Sequence, residues 1–78
     1  MSGEFIEEEE LGLMAKKIRE AAGKSRAEAA RDLGVARPSI FQAEERPEIG
    51  LAKLRKRIIE KYSHLEVIGP GYILRSRS

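Results

Sequence analysis

The 78-residue chain has 15 Lys or Arg residues against 13 Asp or Glu, a formal net charge of +2, and no cysteine. The lack of cysteine excludes disulfide frameworks, thiolate metal sites and a cysteine nucleophile, and the length allows one small domain with a limited core. Residues 1–10 contain five Glu and no basic residue, whereas residues 51–78 contain seven basic and two acidic residues. Beyond its acidic start, the chain is therefore predicted to present a basic surface suited to a polyanion.

The same features argue against membrane insertion and catalysis. No apolar run approaches the ~20 residues that span a bilayer, and the acidic amino terminus lacks the basic start of a signal peptide, so we expect a cytoplasmic protein with no membrane partner. The one histidine, His64, has no acid partner placed beside it, and no glycine-rich phosphate loop follows a strand. We therefore expect no enzyme activity, no metal and no other cofactor.

An acidic segment precedes the first predicted helix. Residues 1–8 are expected to form an amino-terminal arm, and four consecutive glutamates, Glu7–Glu10, lead into the helix. Negative charge is favourable there because the unpaired amides of a helix amino terminus are partly positive. The alternative is a divalent-metal site, but consecutive helical positions fan around the helix axis instead of converging on one ion.

Apolar residues recur every three or four positions from Leu11 to Ala22, which predicts an amphipathic helix that ends at Gly23. The residues expected on its buried face are Leu11, Met14, Ala15, Ile18, Ala21 and Ala22. This single apolar stripe indicates a helix that packs on one side and faces solvent on the other.

Residues 25–35 carry the strongest local signals in the chain. Ser25 and Glu28 form an S-x-x-E capping box, which predicts the start of a second helix. Gly34 can adopt the left-handed conformation that closes a helix, so the helix is expected to end there in a tight turn. The buried positions of this helix are expected to be Ala29, Ala30 and Leu33.

A third helix is predicted to start at about Arg37, because a proline such as Pro38 is tolerated only in a first helical turn. Its start is weak because Ala36 stands where a capping Ser or Thr is preferred. Ile40 and Ala43 are its expected buried positions. The side chains expected to point away from the core are Arg37, Ser39, Phe41 and Gln42.

Two short helices around a glycine corner are the helix-turn-helix arrangement. The residues resemble the Xre/Cro-type family of bacterial and phage repressors, which has the lambda-repressor-like fold. The resemblance covers about residues 11–62 and rests on Ser25, Glu28, Ala30, Leu33-Gly34-Val35, Ile40 and Glu44. It implies a mainly α fold of four helices, in a regulator of transcription that binds double-stranded DNA as a homodimer.

The resemblance implies that the third helix reads base edges in the major groove, with four residues of this chain in contact with bases. Arg37 is expected to pair with O6 and N7 of a guanine, and Gln42 with N6 and N7 of an adenine. Ser39 can bond either a base edge or a phosphate. Two interpretations of Phe41 stay open: it covers a thymine methyl group, or it packs beneath a neighbouring loop.

The resemblance also implies supporting roles for other charged residues. Arg26 is expected to contact a DNA phosphate from the first turn of the second helix. Lys53 and Arg55 are expected to reach phosphates for a reason other than the resemblance, because they lie near the end of the fourth helix that is closest to the third. For each of the three, the alternative is a solvated side chain. Arg19 is expected to form a structural ion pair with Glu44; the alternative is a solvated Arg19.

A fourth helix follows Arg46-Pro47, where a residue before proline is driven out of the helical region. Its expected apolar stripe consists of Leu51, Leu54, Ile58 and Tyr62. We expect one domain over residues 1–78, in which residues 9–62 form the helix-turn-helix bundle.

Residues 64–75 depart from the resemblance and predict a β-hairpin extension. Two short β-prone segments, His64–Ile68 and Tyr72–Arg75, flank a Gly-Pro-Gly turn. An isolated hairpin is marginal in water, so it needs a third strand. Phe5-Ile6 of the same chain or the hairpin of another subunit can supply it, and a dimer built by this tail is the working hypothesis. The last residues, from Arg75 to Ser78, are expected to fray.

Two functions of different classes follow. The first is a sequence-specific DNA-binding regulator with its recognition helix at about residues 37–45. The alternative is an antitoxin-like or other interaction module, whose carboxy-terminal strands dock onto a protein partner such as a toxin or a regulator. The two are not exclusive.

Overall fold

The computed structural model describes residues 4–69 and 72–77, which form four helices and a three-stranded sheet. In chain order the elements are β1 (Glu4–Phe5), α1 (Glu8–Ala21), α2 (Arg26–Leu33), α3 (Arg37–Glu45), α4 (Ala52–Tyr62), β2 (Leu65–Ile68) and β3 (Ile73–Ser76). The prediction of a mainly helical chain that ends in an antiparallel hairpin is confirmed. The predicted turn lies partly outside the described residues, at positions 70 and 71.

The predicted helix boundaries agree best with the structure where capping residues next to the helix end determine the boundary. The Ser25 hydroxyl accepts the Glu28 backbone N–H at 3.1 Å, and the Glu28 carboxylate accepts the Ser25 N–H at 2.8 Å. Gly34 has φ of +69° at the end of α2, and Ala36 caps α3 without a side-chain hydrogen bond. The capping box, the glycine corner and the uncapped start of α3 are therefore confirmed.

Helix α1 differs from its prediction at both ends. It begins at Glu8, so Glu8, Glu9 and Glu10 lie in its first turn, where their charge is favourable. It ends at Ala21, and Gly23 with φ of +73° turns the chain away. Ala21 and Ala22, predicted to be buried, are exposed, because they lie where the helix has passed the core.

The core lies between the four helices and the sheet. Its residues without exposed surface are Leu11, Ala15, Ala29, Ile40, Ala43, Ile58 and Ile59. The predicted stripe of α4 contained Ile58 but omitted Ile59. Helix α4 packs against α1 and also against β2, so it buries a second face that a single stripe does not predict. Within the described residues, no helix is long and apolar enough to cross a bilayer.

Helices α1 and α3 approach each other closely at Gly12. A Cβ atom added to Gly12 would lie 2.5 Å from the Ala43 carbonyl oxygen. Backbone on one helix therefore packs directly on backbone of the other, and only glycine fits.

We predict that Gly12→Ala lowers the free energy of unfolding by roughly 1–3 kcal/mol, although alanine raises helix propensity by about 1 kcal/mol. The matched control is Gly50→Ala, because an added Cβ at Gly50 meets no atom within 4 Å. Urea denaturation followed by circular dichroism measures both variants. Equal stability of the two would contradict the close approach of α1 and α3.

The sheet takes its third strand from the same chain. Its order is β1-β3-β2, with both pairs antiparallel. The amino-terminal strand is Glu4–Phe5, and the Ile6 N–H continues the pairing by donating to the Tyr72 carbonyl at 2.9 Å. Of the two predicted sources of a third strand, the amino-terminal segment is the one observed. Both edges of β3 are therefore occupied within one chain.

Side chains cover the free edge of β2. The Val67 N–H donates to the Glu60 carboxylate at 2.9 Å, and the Leu65 N–H donates to the Ser63 hydroxyl at 3.1 Å. A free edge strand is where another chain adds a strand, and here these donors are already used. This arrangement disfavours a dimer built by adding strands to the tail.

The prediction of a frayed tail is wrong for residues 75–77. The Arg77 guanidinium donates to the carbonyls of Glu60 and Ser63 at the end of α4, at 2.9 and 2.6 Å. Arg75 pairs with Glu66 on the neighbouring strand at 2.5 Å. Both side chains fasten β3 to the body of the protein. Position 78 lies outside the described residues.

Candidate nucleic-acid interface

Helix α3 presents a polar face to solvent. Ile40 and Ala43 have no exposed surface, whereas Arg37, Phe41 and Gln42 are exposed. Ser39, predicted to point outward, is only half-buried at the edge of this face. The predicted division of α3 into a core face and an outer face is therefore confirmed.

Two hollows border this outer face, and each contains the start of another helix. The first hollow is lined by Ser25, Arg26, Ala27, Arg37, Pro38 and Phe41. The second hollow is lined by Val35, Ser39, Gly50, Leu51, Ala52, Lys53, Leu54 and Arg57. The first includes the amino end of α2 and the second that of α4. Because unpaired amides make a helix amino terminus partly positive, the uncapped start of α4 adds to the positive potential of the second hollow, whereas at α2 the Ser25 and Glu28 N–H groups are already bonded in the capping box.

Each hollow also has an exposed basic side chain. Arg37 lies in the first hollow and Lys53 in the second, and both are exposed. Neither forms an ion pair with a carboxylate within residues 4–69 and 72–77. Both side chains are therefore available to an anionic ligand that covers α3.

The structure contains the predicted ion pair between Arg19 and Glu44. Arg19 Nε and Nη2 donate to the two carboxylate oxygens at 2.6 and 2.9 Å, and the two residues are only 5% and 6% exposed. The hydrogen bond to Glu44 raises the pKa of Arg19, so the guanidinium stays charged despite its burial. This pair fixes the carboxyl end of α3 against α1.

Arg26 has carboxylate partners that the sequence did not predict. Its Nε donates to Glu44 at 2.9 Å and its Nη2 to Glu45 at 2.5 Å. Glu45 also accepts a hydrogen bond from Lys16 at 2.7 Å, and that bond is the main cause of the lowered pKa of Glu45. The network joins α1, α2 and α3. The predicted phosphate contact of Arg26 stays a prediction, with two of its nitrogens already bound.

Phe41 packs on this network. The Arg26 guanidinium carbon lies 5.0 Å from the centroid of the Phe41 ring, and Phe41 is 42% exposed. The interpretation that Phe41 packs beneath a loop does not describe this arrangement. The ring lies on an arginine and keeps a large part of its surface in solvent.

The predicted phosphate contact of Arg55 is wrong, because Arg55 has no exposed surface. Its Nε donates to the Ala43 carbonyl at 2.8 Å, and its Nη2 donates to the carbonyls of Arg46 and Ile49 at 2.7 and 2.8 Å. Its Nη1 is buried without a hydrogen-bond partner. Arg55 therefore holds the end of α3 and the loop after it, and it does not face a ligand.

Other arginines also bind carbonyls at helix ends. Arg57 donates to the Leu33 carbonyl at the end of α2 at 2.8 Å, and Arg19 donates to the Lys24 carbonyl after α1 at 2.6 Å. The basic surface is therefore smaller than the charge count indicates. The exposed basic side chains without an ion pair in the described part of the chain are Lys17, Arg31, Arg37, Lys53, Lys56, Arg57, Lys61 and Arg77.

Comparisons of the chain with protein-family models, curated proteins and solved structures found no match. The geometry provides the functional evidence: an exposed polar helix face, a hollow on either side of it, and exposed basic side chains in both hollows, Arg37 in the first and Lys53 and Arg57 in the second. Such a surface matches a grooved anion whose charges lie on both sides of the groove.

Proposed function

We propose that the chain is a sequence-specific DNA-binding regulator of transcription with a lambda-repressor-like helix-turn-helix, in which α3 enters the major groove. The observation that carries the proposal is the exposed face of α3 between two hollows that are each lined by an exposed basic side chain, Arg37 in one and Lys53 in the other. The major groove of B-DNA is about 12 Å wide and admits one α-helix, and the phosphates on its two sides then face the flanking hollows.

The exposed side chains of α3 can read base edges. Arg37 is at the start of the helix and can donate two parallel hydrogen bonds to O6 and N7 of a guanine. Gln42 can bond N6 and N7 of an adenine. Ser39 borders the second hollow and can reach a base edge or a phosphate. Sequence preference is assigned to these three residues and to Phe41.

Phosphate contacts fix the orientation of α3 in the groove. Lys53 and the first amides of α4 lie in the second hollow, and the amino end of α2 lies in the first. Such contacts contribute affinity without sequence preference. In this proposal Lys53 keeps its predicted role, and Arg55 has none.

We predict that Arg37→Ala weakens binding to a cognate duplex by about 1–3 kcal/mol and relaxes base preference at one position. The cognate duplex comes from selection on a randomised library, and binding is measured by fluorescence anisotropy. The matched control is Arg31→Ala, because Arg31 is an exposed arginine that lines neither hollow. This control is expected to bind the cognate duplex nearly as tightly as the unaltered protein.

Lys53→Ala distinguishes phosphate contacts from the base contacts that Arg37→Ala tests. It is expected to weaken cognate and unrelated duplexes alike and to reduce the salt dependence of binding by about one counterion. The proposal fails if selection at moderate salt enriches no motif, or if Arg37→Ala and Arg31→Ala have equal effects.

The proposal includes a homodimer, because reading a palindrome requires two recognition helices roughly 34 Å apart. The strands of the tail are poorly suited to form it by strand addition, since Val67 and Leu65 have already donated their backbone N–H groups. The same observation weakens the alternative function, an interaction module that docks a protein partner through the carboxy-terminal strands.

A further inference from the structure

We propose that Phe41 reads the C5-methyl group of a pyrimidine in the major groove, and that Arg26 is the positioning residue that holds the Phe41 ring for this contact. The inference rests on the proposed function and deepens it by naming the chemical group that is recognised. That group occurs in thymine and in 5-methylcytosine.

Phe41 is the large apolar residue that α3 leaves exposed, although its ring also contacts Arg26. An aromatic ring that is 42% exposed leaves apolar surface in water, while the core positions of α3, Ile40 and Ala43, have no exposed surface. Pro38 borders the same hollow one helical turn earlier. The two side chains form an apolar surface, without hydrogen-bond donors or acceptors, on a helix face that is otherwise polar.

Arg26 restricts the orientation of the ring. Its guanidinium is held by a carboxylate oxygen of Glu44 at 2.9 Å and one of Glu45 at 2.5 Å. Glu44 is itself fixed in the buried pair with Arg19. The Phe41 ring rests on this fixed cation at 5.0 Å from its centroid, a favourable cation–π arrangement. The remaining ring surface is therefore presented to a ligand in one orientation, with little freedom left to lose on binding.

The methyl group is the apolar feature that matches this surface. In the major groove a thymine displays its C5-methyl group, whereas the other base edges display hydrogen-bond donors and acceptors. A ring that cannot donate or accept hydrogen bonds gains by removing water from the methyl group and loses by covering a polar edge. A cytosine methylated at C5 offers the same methyl group beside a different set of polar atoms.

The test uses duplexes that differ only in methyl groups. In the selected cognate duplex, each thymine is replaced in turn by deoxyuridine. At one position per half-site we expect the affinity to fall by roughly fourfold, the effect of one buried methyl group. At that position, a cytosine and a 5-methylcytosine are then compared. If the protein prefers 5-methylcytosine to cytosine as well as thymine to deoxyuridine, the methyl group alone is recognised. If it prefers only thymine to deoxyuridine, the recognised methyl group must be that of thymine.

Three variants test whether Phe41 and Arg26 cause the difference in affinity between thymine and deoxyuridine duplexes. Phe41→Ala is expected to bind thymine and deoxyuridine duplexes equally, and Arg26→Gln is expected to reduce the ratio of their affinities towards one. Gln42→Ala is the control, because it lowers affinity for the cognate duplex while the ratio stays about fourfold. Circular dichroism establishes that each variant is folded. An unchanged ratio in Arg26→Gln would overturn the positioning role of Arg26.

The outcomes separate this inference from the function on which it rests. If a motif is enriched but neither methyl comparison shows a difference, DNA binding stands and methyl recognition by Phe41 is overturned. An unchanged ratio in Phe41→Ala overturns it as well. If no motif is enriched, the proposed function fails and this inference fails with it.

Discussion

Arg55→Ala is expected to lower the free energy of unfolding by about 3–5 kcal/mol, the effect of leaving several buried polar groups without partners. Three carbonyls, of Ala43, Arg46 and Ile49, would lose their donor together. A domain of 78 residues has a total stability of roughly 4–12 kcal/mol. The variant is therefore expected to be largely unfolded at 37 °C if the total lies at the lower end of that range.

The dependence on Arg55 follows from Pro47. In an α-helix the Ala43 carbonyl would accept the N–H of residue 47, but proline has none. Helix α3 ends at Glu45, and Arg46 leaves the helical region with φ of −124°. The Ala43 carbonyl is then buried without a backbone donor, and Arg55 Nε supplies one. A side chain from α4 thus completes the end of α3.

Thermal and urea denaturation of two further variants test this account. Arg55→Lys keeps the charge but lacks the Nε donor and the planar fork, so it is expected to recover only part of the stability. Lys56→Ala is the matched control, because Lys56 is the exposed neighbour on the same helix, and it should change stability by less than about 0.5 kcal/mol. Equal stability of Arg55→Ala and Lys56→Ala would refute the role of Arg55.

The burial of Arg55 could not be predicted from the sequence. An arginine on an amphipathic helix is normally exposed, so the sequence predicts that Arg55 faces a phosphate. Its burial depends on three carbonyls, at the end of α3 and in the loop after it, which lie six to twelve residues away in sequence. Pro47 was the available signal, since it removes a donor from a helix end, but it does not say which side chain replaces that donor.

Features decided by neighbouring residues were predicted well. The capping of α2 by Ser25 and Glu28 and the corner at Gly34 each depend on backbone and side chains within four positions. Features that depend on contacts between distant parts of the chain could not be predicted from the sequence. Whether β1 or another subunit completes the sheet depends on pairing across nearly the whole chain, and the sequence left both sources open.

In the candidate site, too, features set by neighbouring residues were predictable from the sequence and features set by distant contacts were not. The outward face of α3 follows from helical periodicity, so Arg37, Phe41 and Gln42 were correctly predicted to face away from the core. The partners of Arg26 did not follow, because they require α2 and α3 to cross at a known distance. The pair of Arg19 with Glu44 was predicted only through the resemblance to a family, since 25 positions separate the two residues.

Glu44→Gln is the second substitution expected to have a large effect. Glutamine keeps the size of the side chain and removes its charge, so Arg19 would keep a charged guanidinium at 5% exposure without a counter-charge. Removing one partner of a buried ion pair costs about 3–5 kcal/mol. Arg26 would lose one of its two carboxylates as well.

Glu45→Gln is the matched control for Glu44→Gln. Glu45 is the next residue of the same helix and forms ion pairs with Lys16 and Arg26, but its side chain is 32% exposed, against 0% for Glu44. Exposed pairs contribute about 0–1 kcal/mol, so the control should lose no more than that. Both variants are measured by urea denaturation at neutral pH. Losses of equal size would show that burial does not determine the effect.

A double replacement distinguishes the burial of an unpaired charge from the loss of hydrogen bonds. Arg19→Met combined with Glu44→Leu removes both charges and fills the space with apolar atoms, a change that is often neutral or stabilising for a buried pair. The double variant is therefore expected to be more stable than Glu44→Gln alone. If it is equally unstable, the hydrogen bond from Arg19 to the Lys24 carbonyl, which methionine cannot form, accounts for the loss instead. A stable double variant would still leave Arg26 with Glu45 as its one remaining carboxylate partner in the network, so α3 can keep its fold while the Phe41 ring loses part of its support.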